Sequence, residues 1–130
     1  MFLDSSALVA MLVPEGDGHR LAAELQSSSD PVTTPMAVVE SVFGLRKHRA
    51  APLSELAVEV TEFLIRGGVT VLEIPEDIHF GVLMAYERYG KGSQHPARLN
   101  LGDCFSYAMA KRLGIPLLYK GNDFARTDLA

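Results

Sequence analysis

The 130-residue chain carries 12 Lys+Arg against 16 Asp+Glu, a formal net charge of −4, with 48% hydrophobic and 22% charged residues. That balance, with a mean hydropathy of +0.13, belongs to a compact globular chain long enough for one good core and excludes a disordered polymer. It also argues against a protein that holds nucleic acid by bulk positive charge, though not against an enzyme that acts on nucleic acid and lets go.

Met1 to Leu3 reads as a brief buried strand, and Asp4 follows where a signal peptide would still be apolar. Ser5 to Val13 reads as a helix that stops before Pro14. Its Ala7–Val13 stretch is the longest unbroken apolar run, seven residues against the roughly 20 of a membrane span. Glu15 to Gly18 makes a turn, His19 to Ser27 has helical spacing through Leu21 and Leu25, and Ser27 to Pro31 is a loop by composition. Val32-Thr33-Thr34 is a β-branched run, after which Pro35 suits the first turn of a helix continuing to about Arg49. Pro52-Leu53-Ser54 opens another helix ending at Gly67-Gly68. Val69 to Ile74 is expected as a strand, Pro75 as the start of a helix towards Gly90, and Lys91 to Leu101 as a loop. Gly102 to Leu113 is helical and closed by Gly114. Ile115 to Tyr119 is the last strand, and Gly121-Asn122-Asp123 a turn. Cys104 is the only cysteine, which excludes an internal disulfide and any Cys-rich zinc site, and the four histidines lack ligand spacing. The expectation is a cytoplasmic α/β protein, a single domain over residues 1–130, with a mainly parallel central sheet flanked by helices on both faces. Such sheets bind ligands beyond the carboxyl ends of their strands, where the strand order reverses.

Of four candidate acids, three fall at strand ends or helix beginnings, where that rule points. Asp4 follows the first strand, Glu40 lies inside the helix after the second, Asp103 is in the first turn of the late helix, and Asp123 follows the last strand. Each alone has an ordinary explanation: Asp4 as an N-cap, Asp103 as a macrodipole partner, Asp123 as a turn aspartate. Glu40 is harder to dismiss. Met36, Val39, Glu40 and Phe43 are spaced i, i+3, i+4, i+7, which puts the carboxylate on an apolar stripe with no basic residue within a helical turn. A buried, unpaired carboxylate is expensive. If the four converge, their mutual repulsion calls for a cation, and an all-oxygen ligand set suits Mg²⁺ or Mn²⁺. Such ions activate water and stabilise the leaving oxygen of a phosphodiester.

The whole chain resembles PIN-domain ribonucleases, and more closely the VapC toxins of VapBC toxin–antitoxin pairs. The resemblance rests on Asp4-Ser5-Ser6, on Glu40 after Thr33-Thr34-Pro35, on Leu101-Gly102-Asp103-Cys104 with Ala108 and Ala110, and on Tyr119 to Phe124. It implies a PIN-like fold and an Mg²⁺- or Mn²⁺-dependent endoribonuclease with Asp4, Glu40, Asp103 and Asp123 around the metal. Asp4 and Asp103 would be direct ligands, Glu40 a ligand or the residue that orients the water, and Asp123 would complete the site. Ser6 matches a supporting hydroxyl. Asp128 competes with Asp123 for the fourth place, and spacing does not separate them. The resemblance further implies a homodimer, an RNA substrate, and a VapB-like antitoxin whose C-terminal segment occupies the substrate groove.

Lys120 and Arg126 flank the acids and are candidates for phosphate contact. Arg46 to Arg49 reads more readily as a solvated helix end that complements the dipole than as an RNA patch. Gly16-Asp17-Gly18 fails as a dinucleotide loop because Leu21 stands where the third glycine belongs, and no Gly-x-Ser-x-Gly frame supports a serine hydrolase. Two other classes fit the acids less well. One is an aspartyl phosphatase or phosphoacceptor with Asp4 as nucleophile. The other is a non-catalytic module whose acids bind a basic partner.

Overall fold

The computed structural model describes residues 1–13 and 16–130; Pro14, before which the first helix is expected to stop, and Glu15, which opens the expected turn, lie outside the described residues. Four short strands, β1 (Phe2–Leu3), β2 (Val32–Thr33), β3 (Thr70–Val71) and β4 (Leu117–Leu118), form one parallel sheet in the order β3-β2-β1-β4. The chain steps outward from β1 to β2 to β3, then returns to place β4 on the other side of β1. The strand order therefore reverses at β1, and the crevice beyond the carboxyl ends of β1 and β4 is the natural binding position of such a sheet.

The strands are short, yet their pleat is enough to build two cores. Phe2 pairs with Leu117 and Leu3 with Leu118, and successive residues of a strand face opposite sides. Phe2 and Leu117 join the core beneath α5 (His79–Tyr89) and α6 (Leu101–Leu113). Leu3 and Leu118 join the core beneath α1 (Ser5–Leu12), α2 (Gly18–Ser27), α3 (Pro35–Arg46) and α4 (Leu53–Arg66). Helices thus cover both faces of a parallel sheet, the expected architecture. No helix among the described residues is long and apolar enough to cross a membrane.

Several expected boundaries move. The Val69–Ile74 strand is reduced to Thr70–Val71, both exposed at the sheet edge, where only one neighbour is available to pair. The helix expected from Pro75 begins at His79, because the Pro75–Ile78 stretch is spent on a turn in which Ile78 N–H donates to the Pro75 carbonyl at 3.1 Å. The helix expected to reach Arg49 stops at Arg46, with Lys47 as its C-cap. The apolar stripe assigned to that helix is also displaced. Its buried face is Ala37, Ser41, Val42 and Leu45, whereas Val39 and Phe43 are 54% and 53% exposed. Glu40 therefore stands at the edge of the buried face, not in its middle.

Candidate active site

Asp4 leaves β1 at the switch point, and its N–H donates to the Leu118 carbonyl at 3.0 Å, joining the ends of β1 and β4. It is the N-cap of α1 and is 1% exposed. A carboxylate so deep is stable only if its oxygens are satisfied. Here Oδ2 accepts from Ser6 N–H (2.9 Å) and Ser6 Oγ (2.7 Å), and Oδ1 accepts from Ser106 Oγ (2.6 Å). Ser6 Oγ in turn accepts from Lys120 N–H at 3.0 Å, so the supporting hydroxyl expected from the sequence also binds the segment after β4.

Asp103 reaches the same place from α6. Asn100 caps this helix, and a reciprocal capping box forms: Asp103 N–H donates to Asn100 Oδ1 (2.8 Å) while Asn100 N–H donates to Asp103 Oδ2 (3.0 Å). The macrodipole role is thus real, but it uses only one carboxylate oxygen. Ser106 lies three residues further along the same helix face, which brings its hydroxyl to Asp4. The sequence reading missed Ser106; its only signal was the i, i+3 spacing from Asp103, and that spacing gains meaning only once α6 is known to pack across β1.

Glu40 comes from α3. A Cβ built on Gly102 would fall on the Glu40 carboxylate, so the glycine in the first turn of α6 leaves room for the acid to lie over the helix beginning. Burial pushes the Glu40 carboxyl up to about 7, and the charges of Asp4 and Asp103 push the same way. Asp103 is raised to about 6, mainly by burial and further by Asp4 and Asp123, against the opposing pull of the Asn100 N–H bond and the Lys91 charge. The mutual effects tie the four acids Asp4, Glu40, Asp103 and Asp123 into one electrostatic group.

Asp128 belongs elsewhere. Tyr107 OH donates to it at 2.6 Å and Lys111 Nζ at 2.9 Å, and the Tyr107 hydrogen bond, followed by Lys111, holds its carboxyl below the usual range. Asp123 and Asp128, inseparable by spacing, are thus placed apart: one influences Asp103, the other fastens the C-terminal segment to α6.

A hard divalent cation fits the donor set. It consists of carboxylate oxygens and serine hydroxyls, two of the acids are held above their ordinary range by burial and by neighbouring acids, and Gly102 keeps space for the carboxylate from α3. As the side chains stand, no three His, Cys, Asp or Glu among the described residues are gathered closely enough to hold a metal ion. The Asp4 oxygens accept from Ser6 and Ser106, and one Asp103 oxygen accepts from the Asn100 N–H.

A family model described as PIN domain matches residues 1–129 of the chain. A VapC ribonuclease of Rhizobium meliloti is 40% identical over 139 residues, covering 98% of both chains. Ribonuclease VapC30 of Mycobacterium tuberculosis is 38% identical over 130 residues, covering 100% of this chain and 96% of the relative. Ribonuclease VapC of Mycolicibacterium smegmatis is 41% identical over 138 residues, covering 100% and 98%. The crystal structure of Mycobacterium tuberculosis VapC20, a sarcin-ricin loop cleaving toxin, superposes with a TM-score of 0.77 over 99% of this chain and 95% of that one. Its 16% identity makes it a witness to the fold alone.

Proposed function

Since the chain belongs to the PIN domain family and stands among its VapC ribonucleases, we propose that Asp4, Glu40, Asp103 and Asp123 form the centre at which it hydrolyses RNA, with Mg²⁺ or Mn²⁺ as cofactor. The chain is a VapC-like endoribonuclease toxin. The single observation that carries the site assignment is geometric: Glu40 lies over Gly102 at the start of the helix that bears Asp103, and Ser106 of that helix holds the buried Asp4 at the strand-order reversal. Burial and neighbouring acids raise Glu40 to about 7 and Asp103 to about 6, which agrees with a crowded group of carboxyls.

Asp4 and Asp103 would hold the cation, with Glu40 as a further ligand or as the acceptor that orients the attacking water, and Asp123 completing the set. When bound, the ion supplies charge neutralisation at the phosphate and a more acidic water. The protein's own contributions are positional. Ser6 and Ser106 fix both oxygens of Asp4, the capping box fixes one oxygen of Asp103, and Gly102 admits Glu40. Lys120 and Arg126 would meet phosphates on either side. In-line attack by water on phosphorus leaves 5′-phosphate and 3′-hydroxyl ends, and cyclic 2′,3′-phosphate ends would contradict it. The family reading extends to a VapB-like antitoxin partner, a homodimer, and action in the cytoplasm.

The test is cleavage of total cellular RNA by wild type and Asp4→Asn, with Mg²⁺ or Mn²⁺ and with EDTA, reading fragment ends. Discrete cuts with 5′-phosphate ends, lost in EDTA and in the variant, support the assignment. Undiminished cutting by Asp4→Asn overturns it. A covalent aspartyl-phosphate on Asp4 would instead favour the phosphoacceptor class. Partner binding with no cleavage at any enzyme concentration would favour the interaction module.

A further inference from the structure

The segment between α5 and α6 is built around a histidine. Tyr89 ends α5, and the chain then closes a loop: Lys91 N–H donates to the Leu99 carbonyl at 3.0 Å and Leu99 N–H to the Tyr89 carbonyl at 2.9 Å. That loop contains Gln94 at φ 66 and Arg98 at φ 50, the two non-glycine residues with left-handed backbone among the described residues. Such a backbone costs free energy and persists only where other contacts hold it. Side chains do so here. Ser93 Oγ donates to the Gly90 carbonyl (2.7 Å) and accepts from His95 N–H (3.3 Å). His95 Nδ1 accepts from Ala97 N–H (3.1 Å), and Arg126 donates to the Pro96 carbonyl (3.1 Å).

Of these bonds, the one from Ala97 to His95 is the one that a proton breaks. Ala97 is 1% exposed, and Nδ1 is the only partner of its N–H among the described residues. An imidazole accepts at Nδ1 only while it is neutral with its hydrogen on Nε2. Turning the ring over would set the carbon Cδ2 against the N–H and leave a buried donor empty. Protonation has the same result, because it sets one N–H against another. The surroundings offer an imidazolium little in return. The ring lies edge-on to Tyr89, with centroids 4.8 Å apart. Arg88 lies over that tyrosine at 4.8 Å, Arg126 reaches Pro96, and Lys91 and Arg98 belong to the loop itself. Asp128 accepts from Tyr89 OH at 3.4 Å, but it is already engaged by Tyr107 and Lys111.

We propose that His95 is a pH-sensitive latch on the loop that leads into α6. Neutral, it holds the turn from His95 to Ala97 closed. When a proton from solvent takes the Nδ1 lone pair, Ala97 N–H loses its acceptor and the loop is released. Among side chains, histidine is the one whose charge ordinarily changes between about pH 5 and 8. The loop ends at Asn100, whose side chain caps α6 and whose N–H donates to Asp103 Oδ2. It begins beside Lys91, whose charge acts on the same aspartate. Release therefore reaches Asp103 from both ends of the loop. The latch itself is independent of the reading of the acids as a hydrolytic centre, and only its effect on cleavage rests on that reading.

The test reads amide hydrogen exchange by NMR in metal-free full-length protein at about pH 8 and about pH 5, corrected for the intrinsic pH dependence of exchange. Asparagine places Oδ1 where Nδ1 stands and takes up no proton in this range, whereas alanine has no acceptor. In wild type the protection of Ala97 N–H should fall about ten-fold at the acid end, as a buried donor loses its partner. His95→Asn should retain that protection at both values, and His95→Ala should lack it at both. Melting curves confirm that each variant is folded. Val32 N–H, bonded to the Met1 carbonyl at 2.9 Å within the sheet, should stay protected throughout. Asn100 N–H should lose more protection in wild type than in His95→Asn, a difference from which the titration of Asp103 cancels. Level Ala97 protection in wild type, or an equal fall in His95→Asn, overturns the latch. Equal behaviour of Asn100 in the two proteins overturns its reach to Asp103. The expected protections together with no metal-dependent cleavage would uphold the latch and strike down the hydrolytic assignment, so the two readings fail separately.

Discussion

Two aspartates interact with α6 near its opposite ends, and their surroundings treat them oppositely. Near the first turn, burial and then the charges of Asp4 and Asp123 raise Asp103 to about 6, and burial raises Glu40 nearby to about 7. Towards the last turn, Asp128 receives Tyr107 OH and Lys111 Nζ and is held low. Asp128 is met by a phenol and an ammonium donor, whereas Asp103 keeps one backbone donor, the Asn100 N–H, and otherwise faces burial and further acids. Donors mark a fastening, and crowded acids mark a site that completes itself with something from solution. The comparison teaches that residue type and position after a strand are insufficient to separate the two roles; the neighbours decide.

The largest expected break between the two ends is catalytic. Asp103→Asn keeps a capping oxygen but loses the charge, and RNA cleavage should fall by about 10²–10³-fold, the usual cost of removing one group that stabilises charge at the reacting centre. Asp128→Asn should stay within about two-fold of wild type. Single-turnover cleavage of one labelled RNA checks both, and equal losses would abolish the distinction.

Next in size is the response to metal. At about 100 times its dissociation constant, Mn²⁺ should stabilise wild type by about 2.7 kcal/mol, roughly 10 °C in melting temperature for a chain of this size. Asp128→Asn should show the same shift and Asp103→Asn little or none, read by differential scanning fluorimetry. An undiminished shift in Asp103→Asn would move the cation elsewhere.

The fastening end should show its contribution in stability instead. Asp128→Asn weakens the bonds from Tyr107 and Lys111, and a loss of about 1–2 kcal/mol is expected, reduced by solvent because Lys111 and Asp128 are partly exposed. Urea unfolding at pH 7 measures it. Stability equal to wild type would mean the C-terminal segment is held by Phe124 and Leu129 packing alone.

The smallest effect is in pH. Glu40 and Asp103 have folded-state values above their ordinary 4.5 and 3.8, so their contribution to stability is fully present below about pH 4. It is lost as pH rises through about 6 for Asp103 and about 7 for Glu40. Metal-free protein should therefore lose stability between about pH 4 and 7. Glu40→Gln should flatten the upper part of that fall and gain about 1 kcal/mol at pH 8 while cutting more slowly. A metal-free melting temperature that rises across this range would contradict the crowding.

Much of this was legible in the residues, for identifiable reasons. The parallel sheet with helices on both faces follows from apolar runs alternating with amphipathic ones. Asp4, Asp103 and Asp123 are readable because they abut strands and helix beginnings, which are local features. Ser106, Gly102 and Lys91 gain their significance from packing between segments far apart in the chain, and no local pattern announces them. The apolar spacing around Glu40 does not mark the inward direction of α3. Met36, Val39 and Phe43 match a helical stripe as well as Ala37, Ser41 and Leu45 do, and only the packing of α3 against α1 and α4 chooses between them. Thr70–Val71 shrank for a related reason: β propensity marks a capable segment, but ladder length depends on the neighbour.

The bond from Asp4 N–H to the Leu118 carbonyl has a consequence for folding. The carboxylate of the same residue is held by Ser106, 102 residues further along the chain. Contacts of such sequence separation close late, after the local helices have formed, because the loop between them must be closed first. The surroundings of Asp4 are therefore a product of the assembled sheet and of no single segment.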